Sequence, residues 1–200
     1  MNAVPSSAVC LRLEQPSDIS RIRQINELAF QGGVEADSVD ALRAAGGITL
    51  CVVAVLGGRR VGGESTAAAH RGRICDGEVA GGEVVGHALF TPETVTTEKG
   101  EISLLGLGPI AVQPTRQHQG IGTLMVAGCL EHLRAAGHIG AVVVGEPRYY
   151  RRFGFIPAGR WGLRWEMDVL EDNFMAIELT PSVLASASGV VRYRPEFTES

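Results

Sequence analysis

Three stretches of this 200-residue chain combine residue types that chemistry can use. The first is Gln117-His118-Gln119-Gly120-Ile121-Gly122 with Thr123 behind it, standing between an apolar stretch that ends at Val112 and an amphipathic one that begins at Gly120. Backbone N–H groups in the first turn of a helix lack intrahelical partners and carry the positive end of the helix dipole, so such a loop offers donors to an anion. Gly120 and Gly122 have no side chains to hold a diphosphate away from that backbone, although two glycines would equally serve a tight loop. The second stretch is Tyr149-Tyr150-Arg151-Arg152-Phe153, in which a phenol can protonate a leaving group or simply pack. The third is Glu146, just beyond the apolar run 139–144, where a carboxylate can accept a proton or favour the start of a short helix.

Other phosphate loops fail on the residues. Walker A ends in Gly-Lys-Ser/Thr, whereas Gly122 is followed by Thr123 and the chain has no lysine after Lys99. A dinucleotide fingerprint requires a third glycine where Met125 stands, and a much tighter turn from Val112. Four well-separated cysteines, Cys10, Cys51, Cys75 and Cys129, form no Cys-x-x-Cys pair, so no metal site and no disulfide framework is expected. Lys plus Arg total 18 against 22 Asp plus Glu, with no basic run, which argues against a nucleic-acid partner. No apolar run approaches the roughly 20 residues of a membrane span, and the first ten residues lack the features of a secretory signal; a cytoplasmic protein is expected.

The elements that must position these residues follow from periodicity. Apolar residues make up 45% of the chain and charged residues 20%, enough to form one core in one domain spanning 1–200. A strand is expected over 9–13, followed by a helix carrying Ile19, Ile22, Ile25 and Leu28 on one stripe and a second helix over 35–45. Runs 48–56 and 83–90 read as two strands of a long hairpin. Between them, 57–82 is rich in Gly, Ala, Arg and Glu without a sustained period, and reads as a long loop insertion with few core residues. Residues 101–112 form a buried strand kinked by Gly106, Gly108 and Pro109. The clearest helix runs over 120–136 and leads into a strand over 139–144, so strand, loop, helix and strand make a right-handed crossover with parallel strands. A helical turn over 146–153 and a last strand over 174–179 complete the reading, with 160–200 as a C-terminal extension.

The loop, written Gln117-His118-Gln119-Gly120-Ile121-Gly122, resembles the Gln/Arg-x-x-Gly-x-Gly/Ala loop of the GNAT family of N-acetyltransferases. The preceding Leu107-Gly108-Pro109-Ile110-Ala111-Val112 resembles that family's bulged strand, and Tyr149-Tyr150-Arg151-Arg152-Phe153-Gly154-Phe155 its closing tyrosine and Gly-Phe motif. The order of parts is also the family's, over about 9–155. The resemblance implies an α/β fold with a mixed, mostly antiparallel central sheet flanked by helices, in which a parallel strand pair opens around the cofactor. It implies acetyl-CoA as cosubstrate, no metal, and direct transfer of the acetyl group to a primary amine of a small molecule or peptide. Residues Ile110, Ala111, Val112, Gln117, His118, Gln119, Gly120, Ile121, Gly122 and Thr123 then hold the cofactor. Tyr150 is the general acid, and Glu146 is the first choice of base ahead of Glu101 and His87. The family's frequent Asn-x-x-Ala segment is replaced by Gly145-Glu146-Pro147-Arg148. A homodimer is compatible with this reading, and an acyl-CoA-binding sensor without catalysis is the alternative.

Overall fold

Short β-branched runs set the frame. The computed structural model describes residues 9–61, 72–75, 77–98, 100–167 and 169–197. Leu50–Leu56 (β2) is almost wholly buried, so it must lie inside the sheet. It pairs antiparallel with Val9–Leu13 (β1) on one side and with the longer strand Glu83–Thr97 on the other. Between β1 and β2 come two helices, Ile19–Phe30 (α1) and Val34–Ala44 (α2). The buried Arg12 guanidinium ties β1 to the start of α1 by two bonds to Asp18, at 2.5 and 2.8 Å. The Asp18 carboxylate also accepts from Gln15 N–H at 2.8 Å.

After β2 a two-residue hairpin, Arg59–Arg60 (β3) with Val79–Ala80 (β4), leads to Glu83–Thr97 (β5). Strand β5 pairs antiparallel with Gly100–Val112 (β6). In that ladder Ala88 faces Ile110 and Phe90 faces Leu107, so Gly108 and Pro109 together oppose Leu89. This is the kink expected from the glycines and proline, and the Gly108–Pro109 peptide is cis.

The helix Ile121–Ala135 (α3) carries β6 over to Gly140–Val144 (β7), and the two strands are parallel as the crossover rule requires. Their pairing is brief. Leu105 meets Ala141 and Gly106 meets Val142, after which the strands part. Then come Pro147–Tyr150 (α4), Ile156–Pro157 (β8), Leu163–Trp165 (β9), Phe174–Glu178 (β10) and Gly189–Arg192 (β11). The main sheet runs β1-β2-β5-β6-β7-β10-β8, with β11 joined to the far end of β5. It is mostly antiparallel and flanked by helices, as expected.

Its two faces carry separate cores. On one, Met125, Val126, Cys129 and Leu133 of α3 pack on Val52, Ala54, Phe90 and Val143. On the other, Ile22, Val39 and Leu42 of α1 and α2 cover Val53 and Leu89, while Val95, Leu104, Leu163 and Val191 form a neighbouring cluster beneath the C-terminal strands.

Two expectations need correction. Phe174–Glu178 is not the last strand, because β11 follows and pairs antiparallel with β5 and parallel with β9. Four residues, from Gly189 to Arg192, are too few to show a period. Residues 57–82 are also not free of the core: Ile74 and Cys75 are buried, Ile74 bridges Leu11, and Cys75 N–H donates to Leu11 O at 2.8 Å. Residues 62–71 and 76 of that segment, like 1–8, lie outside the described residues. Among the described residues no helix is long and apolar enough to cross a membrane.

Candidate active site

The parting of β6 and β7 leaves backbone unpaired on the side of β6 away from β5. Gln113 N–H reaches across to Val85 O at 2.8 Å. By the alternation of an antiparallel ladder, the N–H of Ala111 also faces β5, whereas those of Ile110 and Val112 face the gap. Pro109 has no N–H to offer. The gap is therefore lined by donors from Ile110 and Val112, and Ala111 sits with its side chain in the core.

Beyond Val112 the chain makes a single tight turn, Pro114–Arg116, and enters α3 through His118 at φ 60° and Gly120 at φ 84°. Gly120 suits that left-handed geometry, which any Cβ would strain. Gln117 Nε2 donates to Val112 O at 3.1 Å and Gln119 Nε2 to Thr115 O at 3.1 Å, so these two side chains brace the loop. An open groove of about 460 Å³ lies over it, lined by Ile110, Val112, Arg116, Gln117, His118, Gly120, Ile121, Gly122, Thr123, Tyr149 and Arg152. All the residues expected to hold a cofactor are thus gathered on this groove except Ala111 and Gln119, which shape it from behind.

Tyr149 packs against the core with Tyr150 and Phe153 and also borders the groove: a Cβ at Gly122 would stand 2.8 Å from its hydroxyl, so glycine lets the ring lie there. The Arg152 guanidinium lies 4.8 Å from the centre of the Tyr149 ring. With Arg116 on the same rim, this mouth joins two cations to the free N–H groups of a helix start, the electrostatics of a diphosphate site.

Tyr150 takes the next position inward. It is buried, with its ring edge-on to Tyr149 at 5.0 Å and to Phe155 at 5.7 Å. Its ring lies against Gly145, where a Cβ would come within 2.5 Å, so the phenol sits on the end of β7 where that strand leaves β6. Burial pushes its pKa up to about 12, which keeps the proton on the oxygen.

The expected bases fare differently. Glu146 is exposed, and its Oε1 accepts from Arg148 N–H at 3.2 Å as the cap of α4. Glu101 is exposed near the start of β6, far along the strand from the groove. His87 is fully buried with Nε2 2.8 Å from Asn26 Nδ2, and burial lowers its pKa to about 4, so it is a neutral core residue. One carboxylate was missed. Glu93 is 1% exposed, accepts from the Thr91 hydroxyl and from Arg194 N–H at 3.0 Å, and is pushed by burial up to about 7. Its signal was present: Thr91, Glu93 and Val95 alternate with Pro92, Thr94 and Thr96 as a strand should. The polar residues and Pro92 had ended the expected strand at Phe90.

A profile of the Acetyltransferase (GNAT) domain matches residues 11–158. The chain belongs to the GNAT acetyltransferase family. An N-acetyltransferase of Escherichia coli K12, YhbS, is 29% identical over 187 residues, covering 94% of this chain and 97% of that protein. A crystal structure of E. coli YhbS in complex with CoA superposes with a TM-score of 0.79 at 26% identity, covering 100% of this chain and 97% of the other. A GNAT family acetyltransferase from Brucella melitensis, solved in complex with acetyl-CoA, superposes with a TM-score of 0.66 at 32% identity, covering 94% and 97%. In this GNAT acetyltransferase the glycine loop and the bulged β6 line one groove, and the tyrosine at the end of β7 packs edge-on against Tyr149 of that lining. Among the described residues no cluster of His, Cys, Asp and Glu could hold a metal ion.

Proposed function

We propose that this acetyltransferase takes its acetyl group from acetyl-CoA and transfers it, by direct attack, to a primary amine carried by a small molecule or a peptide. The observation that carries the reading is the cationic loop groove set beside the unpaired edge of β6, with Tyr150 packed edge-on against Tyr149 of its lining. The CoA and acetyl-CoA complexes of the two related structures support it.

Each part has a task in that reaction. The α3 N-terminus, Arg116 and Arg152 neutralise the diphosphate, with Gln117 and Gln119 holding the loop in shape. The pantetheine arm runs in the gap as a surrogate strand, where the N–H groups of Ile110 and Val112 replace the partners that β7 no longer supplies. A donor at this edge also stabilises negative charge on the thioester oxygen as the amine attacks. Tyr150, which burial keeps protonated, donates its proton to the departing thiolate. Four thiols without a disulfide among them suit action in the cytoplasm.

The test is calorimetric titration with acetyl-CoA, CoA, NAD and dephosphorylated pantetheine, followed by CoA release in the presence of an amine panel. Micromolar-range binding of both CoA species, much weaker binding of pantetheine and none of NAD are expected, with amine-dependent release. Tight CoA binding with no release from any amine or from water would leave a sensor instead of an enzyme.

A further inference from the structure

We propose that Glu93 is the general base that takes the proton from the acceptor amine, on the face of the sheet opposite α3, while Tyr150 serves the thiolate from the α3 side. The inference rests on the acetyl-transfer reading above. Its starting point is position: the Glu93 carboxylate lies across Gly106, so close that a Cβ there would stand 2.5 Å from Oε1, and Gly106 is the last residue of β6 paired with β7. Beyond that pair the two strands part. Glu93 thus stands at the opening from one side and Tyr150 from the other.

The surroundings of Glu93 point to a ligand as well. The C-terminal tail covers the carboxylate through Arg194 N–H, and the neighbouring Tyr193 ring lies tilted with its centre 5.1 Å from that of Trp165. The buried Tyr193 hydroxyl and the buried Trp165 Nε1 have no hydrogen-bond partner. Buried polar atoms are almost always paired, so these two, one of them next in the chain to the Arg194 N–H that bonds Glu93, are open to a polar partner. The Tyr193 phenol is raised by burial first, then by the charges of Glu93 and of Tyr150.

The charged groups facing Glu93 set its proton affinity. From its own strand the Thr91 hydroxyl donates to it, and from the tail come the Arg194 N–H and guanidinium, the latter held at 2.6 Å by Glu196. After β9 stands Glu166, whose charge opposes ionisation. Burial is the largest effect and lifts Glu93 to about 7, where a base is both available and effective at neutral pH. Glu146, the sequence-based choice, is exposed and engaged as a helix cap.

The step balances as follows. The ammonium of the acceptor gives one proton to the Glu93 carboxylate, directly or through one water. The freed lone pair forms the C–N bond and the C–S bond breaks. The nascent amide sheds its second proton as the thiolate gains one from Tyr150, which is restored from that amide proton, and Glu93 finally releases its own to solvent.

Glu93→Gln tests the assignment, since the amide can still accept from Arg194 N–H and meet the Thr91 hydroxyl. CoA release from acetyl-CoA is followed across pH with n-propylamine as the generic amine, or with water as nucleophile if that amine is not accepted. Wild type should show an activity limb rising through about pH 7. In Glu93→Gln the rate should fall about 10²- to 10⁴-fold and the limb should vanish, with acetyl-CoA affinity unchanged. Glu93→Asp, which keeps a carboxylate but withdraws it, should retain the limb at reduced rate and serves if the glutamine variant does not fold. Unchanged rate and unchanged limb in either variant overturn the assignment. Absence of both CoA binding and release in wild type overturns the acetyl-transfer reading itself.

Discussion

At the scale of single residues, the adjacent tyrosines stand differently: Tyr149 borders the groove, while Tyr150 is buried against Gly145. Tyr150→Phe keeps the ring contacts with Tyr149 and Phe155 while removing the donor. Turnover should fall by about 10²- to 10⁴-fold with CoA affinity nearly unchanged, measured by CoA release and by calorimetry. A stability loss with unaltered turnover would make the phenol a packing group. Gly122→Ala acts at the other end of the ligand: its methyl would displace the Tyr149 hydroxyl from 2.8 Å and disturb the groove mouth. CoA affinity should drop at least tenfold while the thermal midpoint moves little, since Gly122 is at the ordinary helical φ that alanine prefers.

At the scale of elements, the junction of β1 and α1 depends on a buried ion pair. Burial opposes ionisation of Asp18, but the Arg12 bonds and the Gln15 N–H outweigh it and leave its pKa below the usual carboxylate value. A depressed carboxylate contributes stability that is complete above its unfolded pKa of about 3.9 and is lost as pH falls through the lower folded value. Asp18→Asn should therefore cost about 2 kcal/mol at pH 7, with a smaller difference from wild type at pH 3, read by urea unfolding at both pH values. The segment 57–82 gives a second case. Ile74 is 9% exposed and bridges β1, so Ile74→Ala should cost about 2 kcal/mol or more, and replacing the whole segment by a short turn should lower the thermal midpoint by several degrees.

Much of the element level was legible. The stripe Ile22 and Ile25, the apolar run of β7 and the glycine-rich start of α3 each declare one period or one turn, and each formed as read. The loop residues gathered for the same reason, because a strand and a helix joined by a tight turn have one way to meet. What stayed hidden depends on tertiary partners. Ile74 and Cys75 are a pair of apolar residues in a polar stretch, and β11 is four residues long; neither has a periodicity of its own. Glu93 was missed because a carboxylate and a proline look like a strand's end until another segment is seen to cover them.

At the scale of the whole molecule, the last described residues complete a sheet begun by the first. Strand β11 joins β5 and β9, Val191 is fully buried, and Phe197 reaches the cluster formed by α1 and α2. A chain ending at residue 188 should retain the α3 loop but uncover Val95 and the Glu93 carboxylate. It should elute as aggregates in size-exclusion chromatography, because four residues of β5 then present an unpaired, partly apolar edge.

That closing strand also imposes an order in time. The chain emerges from the ribosome with its N-terminus first, so the glycine loop before α3 is made long before the tail that covers Glu93. Under the role proposed for Glu93, competence for transfer comes only once β11 and the residues after it have been made, and cleavage ahead of β11 should reverse it.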